Sequence, residues 1–141
     1  MQIKEIGIQM YVKESGQEYT ANNSHTVYDL FEDLKNANVE HLYAVNLNVK
    51  NKILSKLLIS KGDVAKTAIF PAEIAKGALL SNAAGVILVH NHPSGDCSPS
   101  KDDIATTKRI KDALNLFNIK LIDHIIVASE GHYSMQAENN L

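Results

Sequence analysis

Hydrophobic positions change their spacing several times along the chain, and each change marks an element. Ile3 to Val12 is apolar in the manner of a strand, whereas Lys13 to Asn23 is polar, contains Gly16 and reads as a loop. From Ser24 the period becomes helical. Val27, Leu30, Phe31 and Leu34 fall at i, i+3, i+4 and i+7, which predicts one buried helix face and a stop near Ala37. His41 to Leu47 alternates apolar and polar residues, Asn48 to Asn51 supplies a turn, and Ile53 to Ile59 resumes the strand pattern, so a hairpin is expected. Pro71 suits the first position of a helix, where its missing N–H is no loss, and Ile74, Ala75, Ala78 and Leu79 supply an inner face. Val86 to Val89 is apolar on both sides, as in a strand buried mid-sheet, and ends at His90. A further helix opens at Ser98-Pro99-Ser100 and carries Ile110, Ala113, Leu114 and Phe117 on one face. Ile119 to Val127 is strand-like again, and His132 to Met135 adds a short last strand after the turn at Gly131.

Helices and strands interleaved around one hairpin predict an α/β fold: a layered α-β-α domain with a mixed sheet, whose strand order the pattern leaves open. No repeat, low-complexity tract or linker divides the chain, and residues 1–141 are expected to form a single domain. A chain of 141 residues can bury nearly 70% of the surface its unfolded form exposes. Hydrophobic residues at 45% and charged residues at 21% are those of a globular protein rather than a disordered one. The 14 basic and 16 acidic residues leave a formal charge of -2, so charge lends no support to DNA association or to an anionic membrane surface. No apolar run reaches the roughly 18 residues of a membrane span, and the N-terminus lacks a secretory pattern, so a cytoplasmic protein is expected. The single cysteine, Cys97, excludes an internal disulfide and a thiolate-rich zinc site.

The chemistry concentrates in "HNHPSGDCSPSKDD". Histidines at i and i+2 where a strand runs out point to the same side, so His90 and His92 can face one ion while Asn91 faces away. Pro93, Ser94 and Gly95 turn the chain, and Asp103 follows in the first turn of the next helix. Two imidazoles and a carboxylate suit Zn²⁺ at roughly 2.0 to 2.2 Å and leave a fourth position for water. Each residue also has a plainer role. A strand-end histidine is commonly a surface residue, and Ser100-x-x-Asp103 is a variant capping box that would satisfy the helix N-terminus without any metal. Residue types and spacing alone leave both readings open. Cys97 is a poor fourth ligand, because its distance of five residues from His92 is not a thiolate motif.

His90, His92, Ser100 and Asp103 match the JAMM pattern without a gap. Together with "LIDHIIV" farther on, the segment resembles the JAB/MPN domain of RadC-type proteins from about Asn23 to the C-terminus. The resemblance implies a cytidine deaminase-like fold, bound Zn²⁺ and hydrolysis of peptide or isopeptide bonds. It also carries a DNA-repair association, which offers the alternative of a non-catalytic zinc-bearing module in DNA-repair or mobile-element complexes. Full-length RadC-type proteins add an N-terminal helical region, so the chain looks like a short stand-alone version. The JAMM pattern further implies an upstream glutamate as general base. Glu40, just before the strand Leu42 to Leu47, is the candidate, ahead of Glu32 and Glu73 on helices; its plainer reading is a solvated loop residue. Ser100 would cap its helix or donate to the oxyanion. Asn91 can orient the loop. His124 and Asp123 are either support for the metal ligands or a polar pair on a strand, the second being the simpler reading. His25, His41 and His132 read as surface residues. Zinc deaminases place two cysteines on the metal, which one cysteine excludes, and no Walker-type phosphate loop is present.

Overall fold

Five strands form one mixed sheet in the order β2-β1-β3-β4-β5. They are β1 (His41–Leu47), β2 (Ile53–Lys61), β3 (Gly85–Asn91), β4 (Lys120–Ala128) and β5 (Gly131–Ser134). The computed structural model describes residues 18–62, 69 and 71–141, so the strand expected at Ile3 to Val12 lies outside the described residues. Antiparallel pairs join β1 to β2, β1 to β3 and β4 to β5, and β3 and β4 run parallel. The hairpin turn is held by Asn48, whose side-chain oxygen accepts from the N–H groups of Lys50 and Lys52 at 2.9 and 3.0 Å.

Helices cover both faces. On one side α2 (Pro71–Leu80) and α3 (Lys101–Asn115) bury Ile74, Ala75, Ala78, Ile110 and Leu114 against Leu42, Ala44, Val86 and Leu88. On the other, α1 (Ser24–Leu30) and a following 3₁₀ turn (Glu32–Asn36) bury Val27, Phe31 and Leu34 against Val45, Ile87, Val89, Ile125 and Val127. Alternate residues of β1 and β3 thus serve opposite layers, and every residue of β3 is buried. This is the layered α/β arrangement with a mixed sheet that the element order implied. No helix among the described residues is long and apolar enough to cross a membrane.

Three sequence expectations need correction. The helix expected from Ser24 to Ala37 is broken at Phe31, which leaves helical geometry at φ -120°, ψ 20°. Its N–H reaches back three residues to Tyr28, and Leu34 does the same to Phe31; this tighter winding keeps Val27, Phe31 and Leu34 all turned inward. Leu79 and Phe117, expected on inner faces, are 50% and 51% exposed. Leu79 flanks the buried stripe of α2, and Phe117 lies past the last residue of α3, so both line an apolar groove between the helices instead of entering the core.

Each fully buried aliphatic side chain of such layers contributes about 1.5–3 kcal/mol through transfer from water alone. Ile125 is fully buried between strands and α1, whereas Leu116 is 83% exposed. Ile125→Ala should therefore lower the unfolding free energy by about 2–5 kcal/mol and Leu116→Ala by less than about 0.5 kcal/mol in urea titrations.

Candidate metal centre

The centre forms where the central strand ends. His90 is in β3 with its side chain on the α2/α3 side, the side of Leu88, and His92 follows two residues later on the same side. The chain then turns through Pro93, Ser94 and Gly95, closed by Gly95 N–H donating to the His92 carbonyl at 3.1 Å. Gly95 sits at φ +91°, a conformation that L side chains rarely adopt, and this lets the Asp96 carbonyl return to within 2.9 Å of His92 Nδ1.

Asp103 arrives from the first turn of α3. Ser100 accepts the Asp103 N–H at 3.0 Å while Asp103 Oδ2 accepts the Ser100 N–H at 2.8 Å, a complete capping box. The capping reading and the ligand reading are therefore compatible in space. The same carboxylate faces His92 Nε2 at 3.2 Å through Oδ2 and His90 Nε2 at 3.5 Å through Oδ1. The two Nε2 atoms are 2.9 Å apart.

Those three separations lie within or a few tenths of an ångström below what a metal needs. Ligands placed tetrahedrally at about 2.0–2.2 Å from a zinc ion stand about 3.3–3.6 Å from one another. Hydrogen bonding also sets the rings. His92 Nδ1 faces a backbone carbonyl and so carries the proton, which leaves Nε2 as a lone pair in the neutral ring. Two imidazoles and a carboxylate converging in this way form a group that could hold a metal ion; among the described residues it comprises His90, His92 and Asp103, and Cys97 is not part of it.

Electrostatics follow from the geometry. The hydrogen bond to Asp103 raises the His92 pKa; burial opposes this, and the Asp96 carbonyl and the Glu40 charge add to it. Burial pushes the Asp103 carboxyl up, but the facing rings of His90 and His92, with the Ser100 N–H, hold it well below the usual carboxylate range. The group thus sets a carboxylate that favours its ionised form against a histidine that favours its proton.

Glu40 lies immediately before β1. Leu42 pairs with His90, so extending that antiparallel register by two residues sets Glu40 opposite His92 on the same side of the sheet. Its charge is near enough to contribute to the His92 shift. The backbone there is tied on both sides: Asn91 Oδ1 accepts the His41 N–H at 2.7 Å, Asn91 Nδ2 donates to the Val39 carbonyl at 3.1 Å, and the Glu40 carbonyl accepts from Gly62 N–H at 2.9 Å. Asn91, whose amide was expected at most to orient the loop after β3, instead brackets Glu40. The competing glutamates are exposed and paired elsewhere, Glu32 with Lys35 at 2.8 Å and Glu73 with Lys76 at 3.0 Å.

His124 departs from the simpler sequence reading. It is buried on β4, which runs parallel to β3, and its Nε2 lies 2.6 Å from His90 Nδ1. Burial pushes its pKa well below the ordinary histidine value. Thr107 was not anticipated at all; it stands one turn after Asp103 and touches His124 Nδ1 at 2.6 Å. The only sequence signal for Thr107 was its i+4 spacing from Asp103 on a helix. Asp123 meets this group only through the backbone, its Oδ1 accepting the His124 N–H at 2.7 Å, and its carboxylate otherwise accepts from Ser134 Oγ at 2.6 Å and Gln136 N–H at 3.0 Å. Of the histidines expected at the surface, His25 is exposed, His41 is half-buried, and His132 is half-buried and stacked on Tyr28 at 4.8 Å.

Comparison with known proteins identifies the family. A UPF0758 protein of Finegoldia magna is 39% identical over 133 residues, covering 94% of this chain and 60% of that protein. A UPF0758 protein of Caldanaerobacter subterraneus subsp. tengcongensis is 38% identical over 124 residues, 87% of this chain and 53% of its own length. One from Desulforamulus reducens is 40% identical over 109 residues, 77% and 48% respectively. The chain thus spans about half to three-fifths of the length of these relatives. A family model described as the RadC-like JAB domain matches residues 21–141, and the chain belongs to that family.

Proposed function

We propose that the protein is a zinc-dependent hydrolase of the JAMM type that cleaves an amide bond of a peptide or isopeptide. The observation that carries this reading is the convergence of His90 Nε2, His92 Nε2 and an Asp103 oxygen within 2.9–3.5 Å of one another at the end of a buried strand. His90, His92 and Asp103 would hold the ion. When bound, zinc supplies Lewis acidity, polarising a carbonyl and bringing the pKa of a water to about 7.

The chain's own residues do the rest. Glu40 takes a proton from the attacking water as its oxygen bonds to the carbonyl carbon, and returns that proton to the amine as the C–N bond breaks. Its tied backbone favours this role, because a base must be held within reach of the proton it moves. Ser100 accepts the cap hydrogen bond through a lone pair, so its hydroxyl proton is available to the oxyanion. Placement of a carboxylate beside the ligands favours catalysis over a purely binding role.

Metal content, turnover and pH dependence test the assignment. Purified protein should carry about one zinc per chain, which His90→Ala combined with His92→Ala abolishes; Glu40→Gln should keep the zinc and reduce cleavage of a peptide library by about 10²–10⁴-fold. Unchanged cleavage by Glu40→Gln removes Glu40 from the base role. Ser100→Gly, which nearly preserves a helix cap, should cost roughly 0.5 kcal/mol or less of stability yet slow turnover by about 10²–10³-fold. Zinc affinity should fall on acidification by up to about tenfold per pH unit once His92 is protonated, because its pKa is raised by Asp103 and the ring must lose that proton to become a ligand. Titration calorimetry in buffers of different ionisation enthalpy reads the released proton directly; no proton release and no pH dependence contradict the ligand role of His92.

A further inference from the structure

A chain of three short contacts runs behind the metal ligands. Thr107 Oγ1 is 2.6 Å from the Asp103 backbone carbonyl, His124 Nδ1 is 2.6 Å from Thr107 Oγ1, and His90 Nδ1 is 2.6 Å from His124 Nε2. All of these groups are buried. A carbonyl can only accept, so the single hydroxyl proton of Thr107 is directed to Asp103. Thr107 can then meet His124 only as an acceptor, which places the His124 proton on Nδ1 and leaves a lone pair on Nε2. His90 must supply the proton of the last contact from its Nδ1, and its Nε2 is left as the lone pair that faces His92 and Asp103. The reverse polarity would set two oxygen lone pairs against each other at 2.6 Å.

We propose that His124 and Thr107 are positioning residues which lock His90 in the tautomer able to bind a divalent metal, with the direction of the chain set by the Asp103 carbonyl. The inference rests on the reading of His90, His92 and Asp103 as a zinc site. It adds that Asp103 acts twice, its side chain on the ion and its backbone, through two intervening side chains, on the ring of another ligand. Loss of the Thr107 hydroxyl leaves the His124 Nδ1–H without a partner in a buried site. The ring is then better satisfied with its proton on Nε2, donating to His90, and this turns the His90 Nε2 lone pair into an N–H that repels a cation.

The test compares wild type with Thr107→Val, which removes the hydroxyl at similar volume, and Thr107→Ser, which restores it. Zinc affinity is measured by competition with a chromophoric chelator. The His90 tautomer is read from long-range ¹⁵N–¹H correlations in the metal-free protein. Wild type and Thr107→Ser should show His90 protonated at Nδ1 and bind zinc alike; Thr107→Val should bind about 10–100-fold more weakly and show His90 protonated at Nε2. Wild-type zinc binding with Thr107→Val equal to it overturns the inference and leaves the metal centre standing. A metal-free wild type with His90 protonated at Nε2 also overturns it, whether or not the valine variant folds. Wild type that binds no zinc overturns the metal-centre reading itself, and the inference with it.

Discussion

The geometry of the centre depends on bringing lone pairs together where they repel. Two ring nitrogens and a carboxylate separated by 2.9–3.5 Å have no attraction for one another unless a proton or a cation lies between them. The fold overcomes this repulsion by tying each donor from behind. His92 is held by the Asp96 carbonyl, Asp103 by the Ser100 N–H and His90 by His124. Each tie is made to the atom of the side chain that does not face the shared point, or to an oxygen with a second lone pair to offer. The raised His92 and depressed Asp103 are the electrostatic record of that convergence.

Asp103 shows why a structural role and a chemical role need not compete. A carboxylate has about four lone-pair sites, and the capping box uses one of them. The box fixes the rotamer, the helix N-terminus favours the negative charge, and the remaining lone pairs point toward the histidines. A carboxylate placed there without the cap would have to give up side-chain entropy on binding an ion; here that loss has already occurred on folding.

Much of the fold could be read from the sequence because its signals are local. The all-apolar run at Val86, the alternation in His41–Leu47 and the Ser-Pro-Ser entry to α3 each report on neighbours within a turn or a strand. Phe31 broke the expected helix because a 3₁₀ turn keeps the same hydrophobic positions inward, and spacing cannot distinguish the two windings. Leu79 and Phe117 were misplaced because the width of a buried stripe depends on how closely two helices approach. Within the centre, the residues contributed by one continuous segment stood out as candidates from their spacing, which left the metal and capping readings both open. His124 was not, because its partnership with His90 exists only through the parallel register that aligns it with Leu88. Thr107 was hidden for the same reason: a helical threonine acquires a role only once a buried ring stands opposite it.

Topology explains why Glu40 and the ligands can meet at all. Parallel strands deliver their carboxyl ends to one edge of a sheet, and β3 and β4 do so here, with the first turn of α3 supplying the third donor. An antiparallel neighbour brings its amino end to that same edge. Because β1 is inserted between β2 and β3 and runs opposite to β3, the residue preceding β1 lies beside the residues that follow β3. Asn91 then fixes the join, its amide bonding to backbone groups on both sides of Glu40 while its neighbours His90 and His92 face the opposite layer. The i, i+2 spacing of the histidines therefore does two things at once: it aims two rings at one point and leaves the intervening side chain free to hold the strand that carries the carboxylate. A shift of β1 by one residue against β3 would carry Glu40 to the other face of the sheet and remove the Asn91 contacts together.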